Sequence, residues 1–136
     1  RAEWIAFKLN SFELPEILLT RSNVSEWNTL RRKVLVDLPV GSKKWHPQLQ
    51  NAQLACANLT GANLSNSDLT GANLRDANVT AVDFSGCVMR NLNLQGVKGW
   101  FSVREFSQAR LDGAHFLSPP MRNHALKHGA VMGSTT

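Results

Sequence analysis

The sequence contains no tyrosine and only two cysteines, and charged residues make up 18% of it. Two cysteines are too few for a disulfide-stapled scaffold, so a reducing compartment such as the cytoplasm is expected. No apolar run approaches the ~20 residues that a membrane-spanning helix requires, and no membrane partner is expected. Because 43% of its 136 residues are hydrophobic, the chain is expected to fold, and its length fits one domain.

The chain also lacks a recognisable export signal. Arg1 stands where an initiator methionine would, and the residues after it do not run from a basic stretch through an apolar one to a small-residue cleavage site. We therefore expect a processed or excised piece of a longer protein.

Acidic residues are in the minority, which gives a net charge of +5. The excess lies at the two ends: residues 1–50 carry +3 and residues 97–136 carry +3, whereas residues 51–96 carry −1. A basic surface serves solubility as readily as anion binding. A nucleic-acid partner is therefore not favoured by charge alone.

The most informative feature is an internal repeat, because nine units of five residues follow one another from Ala52 to Gly96. The third residue of each unit is large and apolar: Leu54, Leu59, Leu64, Leu69, Leu74, Val79, Phe84, Met89 and Leu94. The first is small or moderately apolar: Ala52, Ala57, Ala62, Ser67, Ala72, Ala77, Val82, Cys87 and Leu92. The second is Asn or Asp in seven of the nine units.

A step of five matches neither the 3.6-residue period of a helix nor the two-residue period of a long strand. Within a unit the two apolar residues lie two apart, which is typical of a short extended segment that points both to one side. Gly, Asn and Asp at most fifth positions favour a turn there. Four such sides would make a coil of twenty residues and would stack Leu54, Leu74 and Leu94 in one column.

These units resemble the pentapeptide-repeat family, whose units are approximately Ala-(Asp/Asn)-Leu-X-X. The resemblance implies a mainly β fold, a right-handed quadrilateral β-helix, with short helical caps expected at both ends because a solenoid exposes its apolar cross-section there.

After Gly96 the frame breaks and then resumes. We interpret Val97 and Lys98 as two extra residues that form a bulge or loop. The resumed units predict inward centres at Phe101, Phe106, Leu111 and Phe116.

The flanks predict three regions: an N-terminal cap (1–50), the β-helix (51–118), and a short helix with a loose tail (119–136). A helix over about 26–38 is predicted with Ser25 as its N-cap, and its Trp27, Leu30 and Val34 are expected to face the column. Upstream, Phe7, Phe12 and Ile17 keep a step of five, which suggests a partial coil. Pro119 and Pro120 are expected to end the repeat, Met121–His128 to form the second helix, and Val131 to begin the tail.

The sequence shows no convincing catalytic, cofactor or metal site. Cys87 occupies an inward first position and Cys56 an outward fifth position, so they are not expected to pair. His124 and His128 would share one face of a helix, but no third ligand accompanies them, and we interpret them as exposed residues of the cap. The outward Asn and Asp side chains are expected to serve the coil's backbone and surface.

For partner binding the candidate residues are Trp100, Lys98, Arg104, Arg75 and Arg90. Trp100 is either an outward interface anchor beside the insertion or a residue covered by an end helix. For the outward arginines, the favoured interpretation is that they are solvated charges on the rod.

The resemblance implies a non-enzymatic protein-protein interaction module, a rigid rod that binds an unidentified protein and that would fit within a bacterial secreted effector delivered into a host cell. The alternative is an inhibitor or protector of a nucleic-acid enzyme, gyrase, by DNA mimicry. The basic net charge disfavours that alternative, because mimicry requires a negative surface.

Overall fold

Parallel β-bridges between residues twenty apart define the central part of the molecule, from Gln48↔Asp68 to Asn78↔Lys98. The computed structural model describes Leu19, residues 24–37 (the side chains of 33–37 excepted) and residues 46–132. Two α-helices flank the bridged region, α1 (Val24–Asp37) and α2 (Pro119–Lys127), and a single 3₁₀ turn, Trp100–Ser102, interrupts it. The predicted partial coil through Phe7, Phe12 and Ile17 lies outside the described residues.

Each coil has four sides of five residues, and each side pairs with the side above it through one bridge. Four chains of bridges run along the column. The first side contains Gln48, Asp68, Val88 and Arg110; the second contains Gln53, Asn73, Asn93 and His115; the third contains Asn58, Asn78 and Lys98; the fourth contains Asn63, Asp83 and Glu105. The first coil begins one unit earlier than the sequence predicts, because Pro47 and Leu49 are buried and Gln48 is bridged.

The interior confirms the predicted positions over the nine unbroken units. Every first- and third-position residue from Ala52 to Leu94 is buried, and most of these side chains are fully covered. Burying a Leu side chain contributes roughly 1.5–3 kcal/mol, so the repeated leucines supply the main driving force for the stack.

The corners are made by fifth-position residues in the left-handed conformation. They alternate along one edge as Asn51, Gly71, Asn91 and Gly113, with φ between 57° and 72°. A Cβ added at Gly71 would lie 2.4 Å from Asn51 Oδ1, and one at Gly113 would lie 2.4 Å from Asn91 Oδ1. Each asparagine therefore occupies the space that a glycine leaves free in the coil above.

The outward second-position side chains fold back on their own unit. Asn78 Oδ1 accepts hydrogen bonds from Thr80 N at 3.0 Å and Thr80 Oγ1 at 2.6 Å. Asp68 makes the same pair of bonds with Thr70. As predicted, these polar residues serve the coil, because they satisfy a backbone donor at each turn.

Helix α1 is present as Val24–Asp37 instead of 26–38, so Ser25 lies inside it and is not its N-cap. It covers the N-terminal edge of the fourth side. Trp27 is fully buried and donates its Nε1–H to Asn63 O at 2.8 Å, and Leu30 packs against the core as a partly buried residue. The side chain of Val34 is outside the described set.

Two side chains of α1, those of Trp27 and Arg31, form hydrogen bonds that a lower coil would otherwise form. In the second coil, Asp83 and Ser85 accept backbone hydrogen bonds from the coil below. At the equivalent positions of the first coil, Asn63 O accepts from Trp27, and Ser65 O accepts from Arg31 Nη2. Side-chain donors thus satisfy carbonyls that would otherwise form an exposed β-edge.

Helix α2 begins at Pro119, with Ser118 as its N-cap, so the two prolines open the helix instead of preceding it. Gly129, with φ of 105°, follows its last turn. The chain then returns to the column, where Val131 bridges Arg110 on the first side. The prediction that the loose tail begins at Val131 is therefore wrong, because this residue extends the sheet edge.

Candidate partner-binding surface at the C-terminal end

The insertion lies later than the sequence predicts. Asn78 still bridges Lys98, twenty residues on, but Asp83 bridges Glu105, twenty-two residues on. The two extra residues therefore fall between Lys98 and Glu105, where the 3₁₀ turn lies, and not at Val97 and Lys98. Gly99 makes this possible, because its φ is 81° and an added Cβ would lie 2.7 Å from Thr80 N.

This shift reverses the predicted orientation of Trp100 and Phe101. Trp100 is 2% exposed and fills the core, whereas Phe101, predicted as the inward centre, is 55% exposed. The Trp100 ring lies 5.0 Å from the Phe106 ring and 6.3 Å from the Phe84 ring, measured between centroids. The prediction of an outward Trp100 is wrong, because the two extra residues follow Lys98 and the frame that made Phe101 an inward centre does not hold there.

Trp100 also holds helix α2 on the column. Its Nε1–H donates to Met121 O at 3.0 Å, and Ala125 of the same helix is fully buried. The structure therefore agrees with the second interpretation of Trp100, in which an end helix covers it.

His124 belongs to the last turn of α2, and its ring lies near two aromatic rings. Its Nε2 is 2.7 Å from Val103 O, so this nitrogen carries the proton that is donated. The ring lies 5.4 Å from Phe101 and 6.0 Å from Phe106, in edge geometry. His124 is half-buried, contrary to the interpretation of it as an exposed residue.

The His128 ring lies beside the His124 ring, with 4.6 Å between centroids and an angle of 57° between the ring planes. Desolvation and electrostatic repulsion from His124, Arg104 and Lys127 lower the pKa of His128, and Glu105 opposes them. Within the described ranges no three His, Cys, Asp or Glu side chains are placed to hold a metal ion.

Exposed large apolar side chains gather at this end of the molecule. Within the described part of the chain they are Phe101 (55% exposed), Phe116 (61%) and Leu126 (44%). Phe116 was predicted to be an inward centre, and this prediction is wrong: it adopts a left-handed φ of 65° where the repeat ends. The three residues come from the 3₁₀ turn, the last unit and α2 respectively.

The basic candidates are dispersed over the column. Arg90 lies on the first side, Arg75 on the second, Lys98 on the third and Arg104 on the fourth, so they do not form one surface. Arg75 is 3.6 Å from Asp76 and Arg90 is 3.7 Å from Asp112. Their side chains are more than half exposed, and such pairs contribute little to stability.

The cysteines lie where they were predicted. Cys56 is exposed at a corner, and Cys87 is fully buried with its Sγ–H 2.8 Å from Leu64 O. Burial raises the pKa of Cys87 to about 12, which keeps it as a thiol.

The described part of the chain contains no helix with the length and apolar character needed to cross a membrane.

The comparison with protein families agrees with the geometry of the repeat. The family model for pentapeptide repeats matches residues 52–91 and 67–98, in eight copies. The crystal structure of a pentapeptide repeat protein from Nostoc Pcc 7120 matches at 24% identity, covering 65% of this chain and 82% of that one, with a TM-score of 0.23. No curated protein matches. The family match and the twenty-residue bridges coincide on one segment, and residues 52–98 are therefore pentapeptide repeats.

Proposed function

We propose that this chain is a non-enzymatic protein-protein interaction module: a right-handed quadrilateral β-helix whose C-terminal end binds a protein partner. The observation that carries the proposal is the exposure of Phe101, Phe116 and Leu126 at that end. Large apolar side chains left exposed at one end of a molecule are candidates for an association surface.

The sides of the column offer less to a partner. Their second-position side chains already accept hydrogen bonds from their own units, as Asn58 does from Thr60 and Asp83 does from Ser85. A partner that used these groups would have to break local bonds first. The end of the column offers apolar area that has no such cost.

An enzymatic role has little support among the described residues. The thiol of Cys87 is buried and stays protonated, and the carboxylates of Asp68 and Asp83 bond to their own backbone turns. A general base or nucleophile needs access to substrate, and these groups lack it or are otherwise engaged.

Inhibition of gyrase by DNA mimicry remains the less favoured function, because the chain carries a net charge of +5 and duplex DNA is a dense row of negative charge. A place within a bacterial secreted effector, and the cytoplasm or a host cell as its compartment, stay predictions from the repeat resemblance and the low cysteine content.

The test is capture of a partner by the full chain and by a variant of its end. The variant combines Phe101→Ser, Phe116→Ser and Leu126→Ser, and the matched control is Val88→Ser on the first side. We expect the wild type and the control to retain the same protein from a bacterial or host lysate. We expect the triple variant to lose it with little change in melting temperature, and the captured protein, once purified, to bind the wild type directly. Equal retention by the triple variant would place the interface elsewhere.

A further inference from the structure

The rings of Phe101, His124 and His128 follow one another, with 5.4 Å and then 4.6 Å between centroids, and Arg104 and Lys127 act on His128. Arg104 comes from the end of the third coil, and His124, Lys127 and His128 come from the last turn of α2 and the residue after it. Arg104, His124 and Lys127 all lie close enough to His128 to disfavour its protonation. We call Phe101, Arg104, His124, Lys127 and His128 the basic-aromatic cluster.

Within the described residues, the positive charge of this cluster is not neutralised by ion pairs as that of Arg75, Arg90 and Arg110 is. Arg75 has Asp76 beside it, and Arg90 and Arg110 share Asp112. Among the described residues, Arg104 and Lys127 form no ion pair, and Glu105 is the one acidic group that acts on His128. Cations left near one another without counter-charges favour binding of an anion.

An aromatic ring borders the cluster. Phe101 is more than half exposed and lies against His124 in edge geometry, with 5.4 Å between centroids. An anion bound here would therefore have an apolar surface next to it, which a bare inorganic ion cannot use.

We propose that the basic-aromatic cluster binds an acidic protein segment that carries an apolar side chain next to its carboxylates. This proposal rests on the proposed function, since it states the chemistry of the partner. Arg104 offers a planar fork that suits a carboxylate, Lys127 offers a point charge, and Phe101 accepts the apolar side chain.

Charge density favours a peptide over a nucleic acid or a membrane. Two permanently charged side chains, with Glu105 beside them, are few for the run of phosphate contacts that a nucleic acid requires. An anionic bilayer would similarly need a broad basic face with several apolar anchors. A short acidic segment matches a cluster of this size.

His128 gives the interaction a pH dependence. The groups around His128 are His124 and Lys127 from α2 and its end, and Arg104 and Glu105 from the third coil. The cations disfavour its charged form in the free protein, and bound carboxylates would favour it. Binding should therefore take up a proton, and affinity should rise as the pH falls from about 8 to about 6.

The experiment uses the full chain and a fluorescein-labelled peptide of glutamates around one phenylalanine, followed by fluorescence anisotropy at low salt. Arg104→Glu and Lys127→Glu are each expected to weaken binding at least about fivefold. The matched control is Arg75→Glu, which makes the same charge change on the second side and should alter binding less than about twofold. His128→Gln should reduce the rise in affinity at low pH, and melting temperatures would verify that each variant is folded.

Three results would overturn the proposal. One is equal weakening by Arg75→Glu, which would mean that the net charge alone attracts the peptide. Another is equal binding of a peptide with glutamine in place of glutamate. The third is binding of phosphatidylserine vesicles or of a single-stranded oligonucleotide without binding of the peptide. If a captured partner depends on Phe101 but not on Arg104 and Lys127, the proposed function stands and this inference fails.

Discussion

The side-chain amide of Asn28 takes the place of a missing coil for Asn63. Its Oδ1 accepts a hydrogen bond from the backbone N–H of Asn63 at 2.7 Å. One coil higher, the equivalent N–H of Asp83 donates to Ala62 O, a backbone carbonyl of the coil below. Its Nδ2 donates to Gly61 O at 3.0 Å. One residue of α1 thus completes two backbone hydrogen bonds at the edge of the repeat.

Asn28→Ala should lower the free energy of unfolding by about 1–3 kcal/mol, because it leaves a partly buried N–H without its acceptor. The measurement is urea unfolding followed by circular dichroism. Ser25→Ala, on an exposed position of the same helix, is the control and should change stability by less than about 0.5 kcal/mol. Equal effects of the two substitutions would show that the amide does not support the edge.

Alanine substitutions of two serines in neighbouring units should change the free energy of unfolding in opposite directions. Ser67 occupies a buried first position, and its hydroxyl has no hydrogen-bond partner among the described residues. Ser65 donates to Asn63 Oδ1 at 2.6 Å and accepts from Arg31 Nη2 at 2.9 Å. We expect Ser67→Ala to raise the free energy of unfolding by about 1 kcal/mol and Ser65→Ala to lower it by about 1 kcal/mol. A loss of stability with Ser67→Ala would show that its hydroxyl has a partner.

Trp100 should prove to be a stability residue. Trp100→Ala removes a buried indole and is expected to cost about 3–5 kcal/mol. Trp100→Phe keeps most of the ring volume and loses the bond to Met121 O, so a smaller loss is expected. Phe101→Ala serves as the control, because its ring is more than half exposed and the melting temperature should hardly move. A larger loss of stability with Phe101→Ala than with Trp100→Ala would indicate that Trp100 points outward.

The corner at Gly71 offers a double-mutant cycle. Gly71→Ala should cost about 1–2 kcal/mol for the left-handed φ of 72°, and more because its Cβ would lie 2.4 Å from Asn51 Oδ1. In an Asn51→Gly background only the backbone part of the cost should remain. A cost that is the same in both backgrounds, measured by chemical denaturation, would show that the asparagine moves away freely.

The two thiols should differ in reactivity and in their effect on alkaline stability. A thiol reagent should modify Cys56 in the native protein and Cys87 only after unfolding. Burial raises the pKa of Cys87 from 9.0 to about 12, so above pH 9.0 the unfolded thiol loses its proton while the folded one keeps it. Stability should therefore fall as the pH rises above 9.0, and Cys87→Ala should reduce that fall. Rapid modification of both thiols in the folded protein would contradict this burial.

The repeat could be predicted because the same five-residue pattern recurs in unit after unit. A large apolar residue at each third position, such as Leu64 or Leu74, has one way to be buried in a chain that turns every five residues. The position of the insertion could not be predicted in the same way. Phe101 fits the five-residue frame of the sequence, and only the bridge from Asp83 to Glu105 shows that the extra residues follow Lys98 and that Trp100 enters the core instead.

The edge-capping role of α1 was also beyond sequence reasoning. Asn28 and Arg31 look like ordinary polar residues of a surface helix, and their partners are backbone groups 33–35 residues away. Helical periodicity identifies the apolar Trp27 as a residue that faces the column, but it does not report which backbone groups lie at the end of a coil. The basic-aromatic cluster was missed for a related reason, because α2 brings Lys127 and His128 to Arg104 only once the chain has folded over the last coil.

The alternation of side chains at the corners also bears on how such a column can lengthen during evolution. A duplicated copy of residues 67–86, inserted directly above the original, would place a second Asp76 over the first. That is where Gly96 now lies, and a Cβ there would be 2.0 Å from Asp76 Oδ1. Repeated copying of one coil would therefore force the lower Asp76 side chain to move at this corner, whereas a glycine above each asparagine or aspartate avoids the contact.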